Sequence, residues 1–229
     1  MNEKEQWELL SVELLRKKVK HLHLKILPPD GRVRVVAPLR MSLKEIRGFT
    51  LSKFSWIQEK QEECKQLKEI PTLQYISGET HSFLGNSYEL NVIEGHVSSK
   101  VELCENTMHF YVPFQATKEQ KEKLIEHWYK KQLKPIFQNL ITHWEPRMGV
   151  LVEKFRIQKM KTRWGSCNIN SRNISFNLEL GKKSLECLES VVIHEMVHLL
   201  EPSHNHRFKA LMDEFMPDWR LYKKILEKA

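Results

Sequence analysis

The sequence predicts an α+β fold, and three observations carry that expectation. Strand-like runs with period-2 alternation cluster ahead of residue 116. Apolar residues at helical spacing dominate after it, and an apolar helix late in the chain carries a dense group of histidines. The expected division is a β-rich part over residues 1–115 and a helix-dominated part over 116–229.

The elements follow from local pattern. Leu22, Leu24 and Ile26 alternate with polar residues, Pro28-Pro29-Asp30-Gly31 supplies a turn, and Val33 and Val35 alternate with Arg32 and Arg34, which reads as a β-hairpin. Ser42 with Glu45 makes a capping-box pattern that opens a helix toward about Leu67, with Ile46, Phe49, Phe54, Trp56 and Ile57 on its apolar side. Strands are expected between about Ser77 and Pro113, separated by turns at Gly85-Asn86, Glu94-Gly95 and Asn106. Thr117 with Gln120 opens a long amphipathic helix toward Trp144, which Pro135 should kink or split. Two further strands, Phe155 to about Trp164 and Ile174 to Leu180, flank a polar turn at residues 168–173. A helix from about Leu185 to Leu200 stops before Pro202, and a last helical stretch carries Phe208, Leu211, Met212 and Phe215.

Composition excludes some classes of function. At 229 residues, 41% hydrophobic and 29% charged, the chain is globular and long enough to bury a core. No apolar run approaches the roughly 20 residues a membrane helix needs. The start, Met1 to Gln6, is charged and lacks the apolar stretch of a secretory signal, so a cytoplasmic location is expected. Cys64, Cys104, Cys167 and Cys187 are widely spread with no C-x-x-C pair, as expected of free thiols. The net charge of +8 allows an anionic partner but equally serves solubility, and Arg16-Lys17-Lys18 reads as ordinary surface.

The chemistry concentrates in H194-E-M-V-H198-L-L-E-P-S-H204-N-H206. Four residues apart on a helix, His194 and His198 share one face a turn apart, about 6 Å along the axis, close enough to share a tetrahedral Zn²⁺. Pro202 takes the chain out of the helix, which allows His204 to return as a third ligand and leaves one position for water, as in a catalytic site. Glu195 stands beside the first ligand as general base. With 11 His in the chain, H-E-x-x-H arises by chance roughly 0.06 times, and roughly 0.003 times with a further His at the tenth position. Val191, Val192, Ile193, Met196, Val197, Leu199 and Leu200 imply a buried helix, where imidazoles and a carboxylate are costly without a metal or dense hydrogen bonding. His206 and Glu214 are the rival third ligands, and Glu201, Asp213 and Glu214 are candidate partners for the distal ring nitrogens.

These residues carry a resemblance. H-E-M-V-H-L-L-E-P-S-H-N-H-R-F, preceded by R-W-G-S-C-N and S-F-N-L-E-L, is similar to the YgjP-like metallopeptidase family, itself related to the SprT-like and WLM groups of zincin-like metallopeptidases. V-R-V-V-A-P-L, the S-L-K-E-I helix, F-L-G-N-S-Y-E-L and W-Y-K-K-Q-L extend the likeness over most of the chain. The resemblance implies a zincin-like core, one Zn²⁺ per chain on His194, His198 and His204, and Glu195 as catalytic base. It also places Arg163-Trp164-Gly165-Ser166-Cys167 on a cleft strand whose edge pairs with an extended substrate. There Gly165 would permit close approach, and Arg163 and Trp164 are candidate substrate contacts. Cys167 reads more simply as a small buried residue than as a nucleophile.

Three functions are compatible with these readings. The first is a zinc-dependent hydrolase, a metallopeptidase acting on peptide or protein through metal-activated water. The second uses the same centre to cleave a phosphoanhydride, with Lys159, Lys161 and Arg163 sharing one strand face toward a phosphate-bearing substrate. The third is a non-catalytic nucleic-acid-binding module with a structural metal, for which stacking aromatics beyond Trp164 are few.

Overall fold

The computed structural model describes residues 7–27, 30–68 and 73–227. The charged start at residues 1–6 and the Pro28-Pro29 part of the first turn lie outside the described residues. The chain divides into two compact units, residues 1–72 and 73–229. The boundary expected near residue 116 falls within the second unit.

In the first unit, β1 (Glu13–Lys17), β2 (His23–Leu27) and β3 (Arg32–Pro38) form a sheet of order β1-β3-β2. The expected hairpin is β2–β3, antiparallel with Leu24 opposite Val35 and Ile26 opposite Val33. Strand β1 pairs parallel to β3 and was not legible, because Glu-Leu-Leu-Arg-Lys does not alternate. Arg16 is more than ordinary surface, since its Nη1 donates to the carbonyls of Pro38, Leu39 and Met41 at 3.3, 3.1 and 2.7 Å. The Ser42/Glu45 capping box forms, but the single expected helix is two: α1 (Leu43–Ser52) and α2 (Phe54–Lys68). The break falls at Lys53, whose N–H bonds to the Thr50 carbonyl at 3.1 Å. Ile46 and Ile57 therefore reach the core with Leu10, Val33, Val35 and Ala37, whereas Phe49 and Trp56 are exposed.

The second unit begins with β4 (Thr80–Phe83), β5 (Asn86–Glu94), β6 (Lys100–Cys104) and β7 (Thr107–Val112), in sheet order β4-β5-β7-β6. Strands β5 and β7 are parallel, and antiparallel hairpins flank them. Helix α3 (Lys118–Met148) starts on the Thr117/Gln120 capping box, ends at left-handed Gly149, and runs unsplit through Pro135. Pro135 lies on the exposed face, as does Lys131 one turn earlier, so water can satisfy the carbonyl left without its helical donor. On the opposite face Leu133, Phe137 and Ile141 are buried in one core with Phe83, Leu90, Met108 and Phe110.

The third sheet has order β8-β10-β9. The strand expected over 155–164 ends at Gln158 as β8 (Lys154–Gln158), residues 159–164 form a loop, and β9 (Gly165–Asn168) is an additional strand beyond it. Strand β10 (Asn173–Asn177) pairs parallel to β8 and antiparallel to β9, which leaves β9 at the sheet edge. A 3-10 turn (Leu178–Lys182) replaces the expected end of the strand. Three helices follow: α4 (Leu185–Val197), α5 (His206–Phe215) and α6 (Trp219–Glu227). Helix α4 ends earlier than expected, with His198 as its cap, and α6 is an additional element. Among the described residues no helix is long and apolar enough to cross a membrane.

Candidate metal centre

Helix α4 is apolar on nearly every side and buried over Cys187, Leu188, Val191, Val192, Ile193, Met196 and Val197. Packing on that scale fixes the rotation of its polar residues. His194 and His198 thereby face one cleft, and Glu195 is held beside them at 5% exposure. The helix ends at His198, and two residues on each form i→i−3 bonds, Leu199 N–H to Met196 and Leu200 N–H to Val197. Glu201 and Ser203 close the next turn, with the Glu201 carboxylate accepting from the Ser203 hydroxyl at 3.0 Å. Asn205 then caps α5 by accepting from the Phe208 N–H at 3.0 Å. Between these anchors His204 is turned back over the helix.

The result is a tight cluster. Ring centroids of His194 and His198 lie 5.0 Å apart, His194 and His204 5.0 Å, and His198 and His204 4.7 Å. One nitrogen from each ring lies within 4.8 Å of the other two. The Nε2 atoms of His194 and His204 are 3.0 Å apart, so they either share a proton or both face a cation. Burial pushes His194 down to about 3, helped by the neighbouring imidazoles and Lys223. His198 is lowered as well, burial being the main cause. Both are thus neutral, the form in which imidazole ligates a metal. The Glu201 carbonyl lies 3.3 Å from His198 Nδ1, which holds the proton there and frees Nε2 for the cluster. Three imidazoles at this spacing fit a divalent ion such as zinc.

Glu195, next to His194 on α4, lines the same cleft. Burial pushes its carboxyl up to about 8, while Arg163 pulls it the other way. The side chain lies against Gly165 at the start of β9, where a Cβ would come within 2.5 Å of Oε1. The cleft has a volume of about 640 Å³, and Arg163, Trp164, Trp219, Lys223 and Leu226 also line it. The indole N–H of Trp164 donates to the Leu226 carbonyl at 3.1 Å, tying the loop before β9 to α6.

The remaining candidates separate clearly. His206 and Glu214 are exposed on α5 and lie outside the cluster found among the described residues. Asp213 accepts from Trp219 Nε1 at 2.8 Å and pairs with Arg220, so it fastens α6 instead of orienting a ring. Glu201 contributes its backbone carbonyl, not its carboxylate. Cys167 lines the cleft, but burial and Glu195 push its thiol up to about 11, which disfavours the nucleophilic thiolate. Lys159, Lys161 and Arg163 do not share a strand face, because the chain leaves the sheet at Gln158. Lys159 instead pairs with Glu122 and Glu126 of α3 at 2.7 and 2.6 Å, which raises its pKa, and only Arg163 of the three lines the cleft.

Two site residues escaped the motif reading. Phe208 is 1% exposed, and its ring centroid lies 4.9, 4.8 and 4.6 Å from those of His194, His198 and His204. Its place four residues after His204, on the first turn of a helix, was the available signal. Asn177 is buried at the end of β10, and its side-chain amide donates to the Met160 and Arg163 carbonyls at 3.0 and 2.8 Å. It also accepts from the N–H groups of Met160 and Glu179. That amide moors the 159–164 loop and presents Arg163 to the cleft.

Imidazoles clustered beside a buried carboxyl suit a metal-dependent hydrolase. The model of the YgjP-like metallopeptidase domain matches residues 20–229, and the chain belongs to that family. It is a metallopeptidase, an enzyme that uses a divalent metal to act on peptide or protein. The crystal structure of the metallopeptidase zymogen of Methanocaldococcus jannaschii jannalysin is similar to part of the chain, at 17% identity and a TM-score of 0.36. The match covers 40% of this chain and 95% of that one. No curated protein matches the sequence.

Proposed function

We propose that the chain is a zinc peptidase in which His194, His198 and His204 hold one ion and Glu195 is the general base. The observation that carries this reading is the convergence of three imidazole nitrogens within 4.8 Å, beside a carboxyl that is nearly inaccessible. Bound zinc supplies a Lewis acid that polarises the scissile carbonyl and acidifies water. Glu195 accepts the proton of the attacking water and returns it to the leaving amine. Its burial raises its proton affinity, which suits that return, and Arg163 favours the ionised form needed for the first transfer. Strand β9 is a sheet edge along the cleft, and its unpaired backbone groups suit an extended polypeptide. Nucleotide hydrolysis is less well supported, since Lys159 is committed to two glutamates.

The test is metal analysis with turnover on an unfolded protein substrate. Wild type should hold about one zinc per chain and His198→Ala none. Glu195→Gln should keep the ion and lose turnover by about 100-fold or more. Full activity in Glu195→Gln would falsify the assignment of the base.

A further inference from the structure

A second cavity of about 720 Å³ adjoins the cleft. Leu151, Ile169, Leu199 and Leu200 line it together with Glu145 and Arg172. Ile169 lines the cleft as well, so the two openings meet at the end of β9. Leu199 and Leu200 follow His198 directly, and the turn that ends α4 carries them into the second cavity. Its apolar wall is wet: Leu151 is 52% exposed and Ile169 39%. Exposed apolar side chains gathered in a hollow beside a cleft offer an apolar group somewhere to pack.

We propose that this cavity is an apolar subsite that receives a bulky aliphatic or aromatic side chain of the polypeptide substrate, three to four residues from the bond that is cut. The inference rests on the peptidase reading above and adds a sequence preference to it. Spacing supports it. Gly165 stands beside Glu195, and Ile169 follows four residues later, just beyond the last residue of β9. An extended chain advances about 3.3 Å per residue, so a peptide paired along β9 covers that stretch, roughly 13 Å, in three to four of its own residues. The side chain arriving there meets three leucines and an isoleucine. Continuity with the cleft through Ile169 favours the substrate over a separate protein or a second copy of the chain as occupant.

The test uses ten-residue fluorescent peptides of Gly, Ser and Ala with one Leu moved through successive positions. Zinc-loaded Glu195→Gln protein binds them without cutting them, and anisotropy reads the affinity. One Leu position should tighten binding about tenfold, and Leu151→Asp in the same background should remove that gain. Leu151 is half exposed, so the substitution does not open the core. With the active enzyme, the preference for the best long peptide over a four-residue peptide should fall about tenfold in Leu151→Asp, through KM. Affinity independent of Leu position, or unaltered by Leu151→Asp, overturns the subsite while leaving the peptidase standing. Failure of the wild type to cut any peptide overturns both. A sedimenting dimer that Leu151→Asp converts to monomer assigns the cavity to a second copy and also overturns the proposal.

Discussion

The α-carbon of Gly165 stands where a β-carbon would lie 2.5 Å from Glu195 Oε1, 2.7 Å from its Cγ and 2.9 Å from its Cδ. No other side chain fits there without moving the carboxylate. The glycine is needed for closeness, not for an unusual backbone angle, and it sets how far Glu195 reaches into the cleft. Gly165→Ala should therefore lower kcat by about 10- to 100-fold with zinc content intact, because a displacement near 1 Å at a reacting group has that effect. Overpacking should cost about 1–3 kcal/mol of stability as well. Single-turnover rates and metal analysis on the same preparation decide it. A variant with wild-type kcat would show that Glu195 has room to spare.

Phe208 supports three rings at once. Phe208→Ala should cost about 3–5 kcal/mol, as a large buried aromatic does, and Phe208→Leu considerably less. The more informative readout is zinc affinity, expected to fall about tenfold in Phe208→Leu, since groups that orient ligands have effects of that size. Competition with a chromogenic chelator measures it. Unaltered affinity would make Phe208 a core residue and nothing more.

Metal removal should loosen the segment that carries His204. A ligand present at 100 times its dissociation constant stabilises the native state by about 2.7 kcal/mol. Chelation should accordingly lower the Tm of the wild type and leave His198→Ala unaffected. Equal shifts in both proteins would place the effect away from the cluster.

A pH response is expected from His81, far along the chain from the metal motif. Burial holds its imidazole below the usual range, outweighing the Glu79 carboxylate 3.3 Å away. An unfolded histidine titrates at about 6.5. Above that pH both states are neutral at His81 and stability is level with respect to it. Below, the unfolded chain takes up a proton that the folded chain refuses, so stability falls with pH. Denaturant midpoints between pH 7.5 and 5.5 should decline more steeply in wild type than in His81→Gln. Parallel profiles would contradict this account.

Much of this was legible in the chain because it is local. Both capping boxes lie within four-residue windows, and the hairpins at residues 84–86 and 105–106 announce themselves by turn residues between alternating runs. The H-E-x-x-H spacing fixes which imidazoles face together as soon as the segment is helical. What escaped was decided across the sheet. Lys159-Met160-Lys161-Thr162 prolongs an alternating pattern, yet the chain leaves β8 because Asn177, distant in sequence, binds the backbone at Met160 and Arg163. No window around residue 160 contains that amide. Helix α3 shows the converse: Pro135 predicts a break from local rules, and its position on the wet face removes the cost.

His194 and His204 are ten residues apart. A loop of that length closes in about 10–100 ns and sacrifices little chain entropy. Gly165 and the edge strand must instead be delivered from a separate hairpin. All ten described strands end by Asn177, so Gly165 and the edge strand are synthesised before His194 and His204. The wall that Glu195 packs against can therefore be in place first, and gathering of the three rings becomes the last, local step in assembling the site.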